Sequence, residues 1–417
     1  MAAAAAYHVT LLGALDPSRG DRGDGMALAV NRSGAVAGFT TALTSDGFSL
    51  GLRPVRWDAG SVWPTELGLL GNPPYGSGDG RVHGLNSAGA AVGTVTNYVN
   101  GNALGPTAVR WSAGSTIATE LGNLGSSPGR DDWSEAWAIN DAGVAVGMVI
   151  DYNAGTEGVD RAVRWDAGGT AATALGTLGT NRVGDGNAIA RAINSSGVIV
   201  GQADRYDGES FRGSRPVRWD AGSTAPTELD VLDPEVPDAD IEPTAMAINE
   251  HGDAVGVVSR VIDGVYHGSR AALWAAGGTK ATELVPLSTA QSGWASSVAN
   301  SINADGDVVG SSILYDGANY VGGRAVIWSA NEHTPLDLNT LSDAGPRWEL
   351  ASATAIGDNG TIVGWGLYYP DGGPALGFGH EAAFRLDPIP EPSFWGALGI
   401  FVVYRAGRRR SYRTLEP

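Results

Sequence analysis

The stretch AINDAGVAVG, residues 138–147, decides the fold, because the chain writes nearly the same ten residues seven times. Its relatives are ALAVNRSGAVAG from Ala27, VHGLNSAGAAVG from Val82, ARAINSSGVIVG from Ala190, AMAINEHGDAVG from Ala245, ANSINADGDVVG from Ala299 and ATAIGDNGTIVG from Ala353. The Asn falls at Asn31, Asn86, Asn140, Asn194, Asn249 and Asn303, and Gly357 holds the seventh place. The spacings are 55, 54, 54, 55, 54 and 54 residues. Such small drift marks one structural unit copied seven times. Within the stretch, the Asn side chain accepts from the backbone two residues on and starts a turn. The Gly three residues later takes the positive φ that closes it. A hairpin follows, with strands at AxAI and xVxVG. The second is small-sided (AVAGF, AAVGT, VAVGM, VIVGQ), which suits a strand crowded against a symmetry axis.

Further along each unit an aromatic recurs at Trp57, Trp111, Trp165, Trp219, Trp274, Trp328 and Phe384. Ten residues past each Trp an LGxLG-like segment begins, at Leu67, Leu121, Leu175, Leu229, Leu284 and Leu338. A unit therefore reads as four short runs, rich in Val, Ile and Trp and too short for helices, punctuated by Gly, Asn, Asp and Pro. Four strands in about 54 residues, seven times over, predict an all-β, seven-bladed β-propeller with four-stranded blades. The last unit lacks its LGxLG segment, and the missing piece stands at the front of the chain. In HVTLLGAL, Leu12 precedes Asn31 by 19 residues, as Leu67 precedes Asn86. The N-terminal strand is expected to complete the last blade and close the ring. The domain reading is a leader remnant over 1–6, the propeller over 7–387 and a tail over 388–417.

Bulk composition narrows the function. The 417 residues include 62 Gly, suited to turns and short strands, and no Cys, so neither disulfides nor thiolate metal sites exist. Net charge is −18, Lys280 is the single lysine, and five Arg crowd the last thirteen residues, so the body is more acidic than the total. An acidic body argues against nucleic acid, whose phosphates need Lys and Arg. It favours solubility and, weakly, divalent cations or cationic partners.

The repeat, AINxxGxVVG followed by an aromatic-ending strand and LGxLG, resembles the HAF family of extracellular repeats over roughly residues 7–386. The His that the family places four residues before the aromatic is here Arg53, Thr107, Arg161, Arg215, Arg270 and Arg324, and only His380 keeps it. The resemblance implies export and a propeller-like fold, and carries no particular activity. Residues 390–410, PEPSFWGALGIFVVYRAGRRR, resemble a PEP-CTERM sorting signal: Pro390, Glu391 and Pro392, an apolar run, then Arg408, Arg409 and Arg410. That resemblance implies recognition and cutting by an exosortase in the cell envelope, in bacteria that often make exopolysaccharide. The Arg cluster should stay cytoplasmic while the propeller lies outside. The run Phe394–Tyr404 is eleven residues, where spanning needs about 20, so membrane contact is transient. MAAAAAYHV has no basic n-region and almost no apolar h-region, and reads as the end of a leader whose start was lost.

Motifs for catalysis are absent. The six His at 8, 83, 251, 267, 333 and 380 show no metal-pair spacing, and no GxSxG, HExxH or P-loop occurs. Acidic loops precede the Asn hairpins at Asp131, Asp132 and Glu135, at Asp238, Asp240 and Glu242, and at Asp21 and Asp24. None has the spacing of a calcium loop; no cofactor is called for, and calcium is the one ion these loops could take. Two RGD tripeptides, over 19–21 and 22–24, lie in a Gly-rich turn. The most suggestive set is Arg56, Arg110, Arg164 and Arg218, each directly before its Trp, together with the Arg set four residues before the aromatic. Repeat symmetry arranges them as rings. Such rings can bind carboxylates or anionic sugars by bidentate bonding and stacking, or tie neighbouring blades through Glu66, Glu120, Glu228 and Glu283. The expected function is an exported surface or matrix binding module, with exopolysaccharide or a surface protein as partner, and not an enzyme. The alternative is a polysaccharide hydrolase or lyase on a propeller, which should break the symmetry at one place.

Overall fold

In the computed structural model, the described residues are 6–15, 24–71, 73–125, 133–152, 158–182, 184, 186–233, 242–330, 332–374 and 377–390. The leader residues 1–5, the RGD residues 19–23 (with Asp21), Asp131, Asp132, Asp238, Asp240 and the tail from Glu391, with Pro392, Arg408, Arg409 and Arg410, lie outside them. Seven antiparallel four-stranded sheets form a seven-bladed β-propeller with almost no helix. Blade 1 runs Gly25–Val30, Val36–Leu43, Ser49–Trp57 and Thr65–Glu66, from the axis outward. Blades 2 to 6 repeat this order from innermost strands Gly80–Leu85, Ser134–Ile139, Ala188–Ile193, Thr244–Ile248 and Ser297–Ile302. Blade 2 carries one extra two-residue strand, Leu70–Gly71, parallel to Ala91–Val99.

Blade 7 comes from both ends of the chain. Trp348–Ile356, Ile362–Tyr368 and His380–Pro388 are its inner three strands, and Tyr7–Leu11 pairs with the last of them, Tyr7 opposite Pro388 and Leu11 opposite Phe384. Leu12 then occupies the place of Leu67, and both are buried. The expected closure by the N-terminal strand is how the ring is built.

The innermost strand is the AxAI strand and not, as its small side chains suggested, the VG strand. The seven AxAI strands contact one another around the axis, and the VG strand lies second. Its Gly has another cause. Every innermost strand carries a β-bulge, a register shift such as that between Ala136 and Ala138. The bulge drives a carbonyl towards the strand opposite. A Cβ on Gly147 would collide with the Glu135 carbonyl, and Gly38, Gly93, Gly201, Gly256, Gly310 and Gly364 face the same obstruction.

The core is seven interblade clusters, each centred on the recurring aromatic. Trp57, Trp111, Trp165, Trp219, Trp274, Trp328 and Phe384 are all at most 1% exposed. Burying a ring of this size is worth roughly 4–6 kcal/mol. Each Trp also spends its N–H across the joint, donating to the carbonyl of the residue after the preceding blade's buried Leu: Trp57 to Gly13 at 3.0 Å, Trp111 to Gly68 at 3.0 Å, Trp165 to Gly122 at 2.8 Å, Trp219 to Gly176 at 3.0 Å, Trp274 to Asp230 at 2.9 Å and Trp328 to Val285 at 2.9 Å. That same residue's N–H donates back to the turn after the Trp, as from Gly122 to the Thr170 carbonyl at 2.7 Å and from Gly13 to the Val62 carbonyl at 2.8 Å.

The Asn of the repeat has a second task besides its turn. Its Oδ1 accepts from the amide four residues on, as Asn140 does from Val144 at 2.9 Å. Its Nδ2 donates to the backbone carbonyl of the next blade's Asn: Asn31 to Asn86 (2.9 Å), Asn86 to Asn140 (3.1 Å), Asn140 to Asn194 (3.1 Å), Asn194 to Asn249 (3.1 Å) and Asn249 to Asn303 (3.2 Å).

Two glycines of one hairpin separate these constraints. Gly143 has φ 84° and open space beside it, the nearest atom to an added Cβ being 3.5 Å away, so Gly143→Ala should cost about 1 kcal/mol from backbone strain alone. Gly147→Ala must push the bulge apart and should cost about 3 kcal/mol. Equilibrium denaturation of the two variants checks the order; equal losses would mean the bulge does not require its glycine.

Candidate functional site

The two Arg sets end up in different places. Of those beside the Trp, Arg56, Arg164 and Arg218 pair with the Asp of their own turns, Asp58 (2.8 Å), Asp166 (3.1 Å) and Asp220 (2.8 Å). Arg110 donates to the carbonyls of Gly169 (3.0 Å) and Asp166 (3.3 Å) in the next blade, and Arg218 reaches Gly278 at 3.1 Å in the same way. The set four residues before the aromatic holds the repeated acids: Arg53 pairs with Glu66 (3.1 Å), Arg215 with Glu228 (3.5 Å) and Arg270 with Glu283 (3.1 Å). These acids lie in the same blade as their Arg, not the neighbouring one. What crosses to the next blade is the guanidinium's other edge, which bonds the loop entering it: Arg53 to the Gly76 and Gly78 carbonyls, Arg161 to Gly186 at 2.7 Å and Gly184 at 3.0 Å, Arg270 to Ala295 at 2.6 Å. Burial lowers the pKa of Arg110, Arg215 and Arg270.

Around the axis the bulged residues of three successive blades form a stack that motif reading missed. The His83 and Trp137 ring centroids lie 4.6 Å apart, and the Arg191 guanidinium sits 4.4 Å over the Trp137 ring. Nearby, Glu135 accepts from the Trp133 indole at 3.3 Å and Glu242 from the Gln202 amide at 2.6 Å. Burial, then the charges of Asp204, Glu135 and Glu242, push the Asp160 pKa up. Among the described residues, no three His, Asp or Glu come together in a way that could hold a metal ion.

Blade 7 departs from the repeat on both of its sides. Gly357 has no side chain to carry the Asn relay on into blade 1, and Phe384 has no N–H to give to blade 6. Asp358 bonds both neighbours, accepting from Ala304 N of blade 6 at 2.9 Å and from Arg32 of blade 1 at 2.7 Å. The connection into blade 7 also departs from its equivalents. A short helix, Leu338–Leu341, capped by Asp337, and a 3-10 turn, Gly345–Arg347, carry the chain round. Asn339 clamps Leu350 through both its amide atoms, at 3.0 and 2.7 Å. Arg53 and Arg270 meet an incoming loop, whereas Arg324 bonds its own Gly323 carbonyl at 2.9 Å and has Asp337 at 3.9 Å.

The detour leaves a cleft of about 520 Å³ between the two blades. Its floor comes from blade 7, where Glu349, Leu367 and Glu381 share one rung across three strands, with Trp365 on the same side of the sheet as Val363 and Ala383, the side that packs on blade 1 further along. Two strand spacings put the backbones of the acids about 10 Å apart. Tyr369 donates to Glu349 at 3.3 Å and fixes it. The opposite wall is blade 6, with Arg324, the side-chain-free Gly322 and Gly323, and Tyr320, which is 65% exposed and packs edge-on to Tyr315 at 6.3 Å. His380 packs edge-on to Tyr368 on the opposite side of the same strands. The sequence signal is that the last unit departs at two of its repeated places, Gly357 for Asn and Phe384 for Trp, with Asn339 at a place that is Gly in four units and Asp230 or Val285 in two.

No family model and no curated protein matches the chain. Solved structures resemble it in overall shape. A protein of unknown function from Dyadobacter fermentans is 11% identical with a TM-score of 0.41, covering 92% of this chain and 98% of its own. The β-propeller domain of the Trilobed protease from Pyrococcus furiosus is 8% identical at 0.48, covering 89% and 98%. The polysaccharide lyase Uly1 is 11% identical at 0.44, covering 92% of each chain.

The axial stack has a pH signature. Burial first, then the charges of Arg81 and Arg191, push the His83 pKa down to about 3 from 6.5. Between those values the unfolded chain binds a proton that the folded one refuses, so stability is lost as pH falls through that window. Replacing the ring by His83→Phe should flatten the loss by up to about 1.4 kcal/mol per pH unit. Denaturation midpoints from pH 7 to pH 4 measure it, and parallel profiles for the two proteins would refute the assignment.

Proposed function

We propose that this propeller is an exported, surface- or matrix-associated binding module, and that the cleft between blades 6 and 7 is where it holds polysaccharide. The observation that carries this reading is the departure of the joint between blades 6 and 7 from the repeat. Six joints carry a Trp whose indole bonds the preceding blade, and this one carries Phe384 beside a cleft with an aromatic and polar lining of ligand size. The HAF-like repeats and the PEP-CTERM-like tail support export and cutting by an exosortase-type enzyme. The described chain ends at Pro390, next to the paired ends Tyr7 and Pro388, on the face opposite the hairpin that carries Tyr320. A tail leaving that face would let the cleft point away from the membrane. The rings of Arg56, Arg110, Arg164 and Arg218 are the weaker ligand site, since their partners are already protein groups.

A second reading, a glycoside hydrolase, is favoured by the two acids on one rung of the cleft, since such enzymes use a pair of carboxyl groups flanking the scissile bond. Binding is preferred because a general acid is made by a desolvated pocket, while Glu381 stands on the exposed lip of the cleft.

One experiment tests location and binding together. In an exosortase-bearing bacterium, with a secretory leader fused to the chain, the protein should be found in the envelope or matrix, cut after about Pro390 by intact mass, and should co-sediment with exopolysaccharide. Trp365→Ala should release it from the polysaccharide without altering the cut. A secreted form still carrying Arg410, or sedimentation indifferent to Trp365→Ala, contradicts the corresponding half. Release of reducing ends that Glu349→Gln abolishes would establish the hydrolase instead.

A further inference from the structure

Resting on the cleft as a polysaccharide site, we infer that its ligand carries free amines: the cleft recognises an amino sugar chain that is not fully acetylated. The floor sets the chemistry. Leu367 and Trp365 form an apolar strip, and Glu349 and Glu381 flank Leu367 on the same rung, one to each side. A sugar ring laid on the strip meets C–H against the indole face, and a substituent at its edge meets a carboxylate. An ammonium there donates charge-assisted hydrogen bonds to Glu349 or Glu381. A hydroxyl would gain less, and an acetamide would put a methyl against a carboxylate and lose the charge.

Charge balance points the same way. The cleft's one cation, Arg324, already faces Asp337 at 3.9 Å and its own Gly323 carbonyl. The two glutamates therefore leave the cleft negative, within a chain of net charge −18. An anionic sugar would have to approach against both. A basic peptide is disfavoured by shape. Peptides add to sheets along an open strand edge, whereas this cleft is lined by strands that already pair on both sides, such as Ile362–Tyr368. Its blade 6 wall at Gly322 and Gly323 has room for a ring and no side chain to order an extended backbone. The serines that line it, Ser311, Ser312 and Ser352 among them, suit a polyhydroxyl ligand.

The test is calorimetric titration of the full chain with glucosamine oligomers, N-acetylglucosamine oligomers of the same length, and a lysine oligomer of the same charge. The amine form should bind roughly tenfold tighter than the acetylated form, the worth of one hydrogen bond to a charged group. Glu349→Gln and Glu381→Gln together should erase that preference while acetylated oligomers still bind, and Trp365→Ala should weaken both sugars. Unchanged melting of the Gln variant shows that it is folded. Equal affinity for the two sugars, with dependence on Trp365 retained, overturns the amine inference and leaves the polysaccharide site standing. A lysine oligomer binding as tightly as the amine sugar overturns it in favour of simple charge attraction. No binding by any sugar removes the site as well.

Discussion

Everything in this molecule depends on one joint repeated around a ring. A blade of four short strands has two apolar faces and cannot bury either by itself. Each is covered by the neighbour, so a seven-blade propeller has seven joints and tolerates no free end. The joint is made by a buried aromatic, whose size supplies the apolar burial. Its indole N–H is matched by the carbonyl that the preceding blade leaves exposed after its buried Leu. The match is reciprocal, one donor and one acceptor on each side, so these four groups enter the interface already paired. Gly13 serves the joint between blades 7 and 1 with the same two bonds that Gly68 and Gly122 make elsewhere.

Nearer the axis the Asn relay does comparable work in a smaller space. A single amide side chain closes its own turn with its oxygen and reaches the next blade with its nitrogen. Each of these five links buries a donor that would otherwise be stranded, since the Asn residues are only 3–6% exposed. The bulge next to them shapes the inner wall. It frees one side chain per blade to reach towards the neighbouring innermost strand, which is how His83, Trp137 and Arg191 come to stack.

Period and punctuation made the architecture legible in the sequence, since seven copies of one hairpin left few folds to choose between. Leu12 could be matched to Leu67 by counting, and ring closure followed. The second task of Asn140 and the indole bonds were not legible. A turn residue and a core residue look the same whether or not they also bond across a joint. The VG glycine misled for a related reason. A missing side chain says that something is close, and only the bulge in the facing strand says what. The cleft sits between these cases. Its residues carry no motif, but Phe384 and Asn339 mark the joint beside it, while Gly357 marks the joint of the same blade with blade 1. The acids on its floor could not be paired from sequence, because Glu349 and Glu381 are 32 residues apart and meet through strand register alone.

A joint repeated seven times gives a rigid frame on which a cleft sits between blades 6 and 7. That frame requires closure of the ring by the N-terminal strand, and closure is measured most directly by removing it. Without residues 1–16, blade 7 loses its outer strand, the edge of His380–Pro388 is bared, and Trp57 loses its acceptor on Gly13. Thermal unfolding of the truncated chain should shift down by several degrees or more, its monomer yield should fall, and a synthetic peptide of residues 6–15 should restore both. A truncated chain that melts with the intact one and stays monomeric would contradict the closed ring.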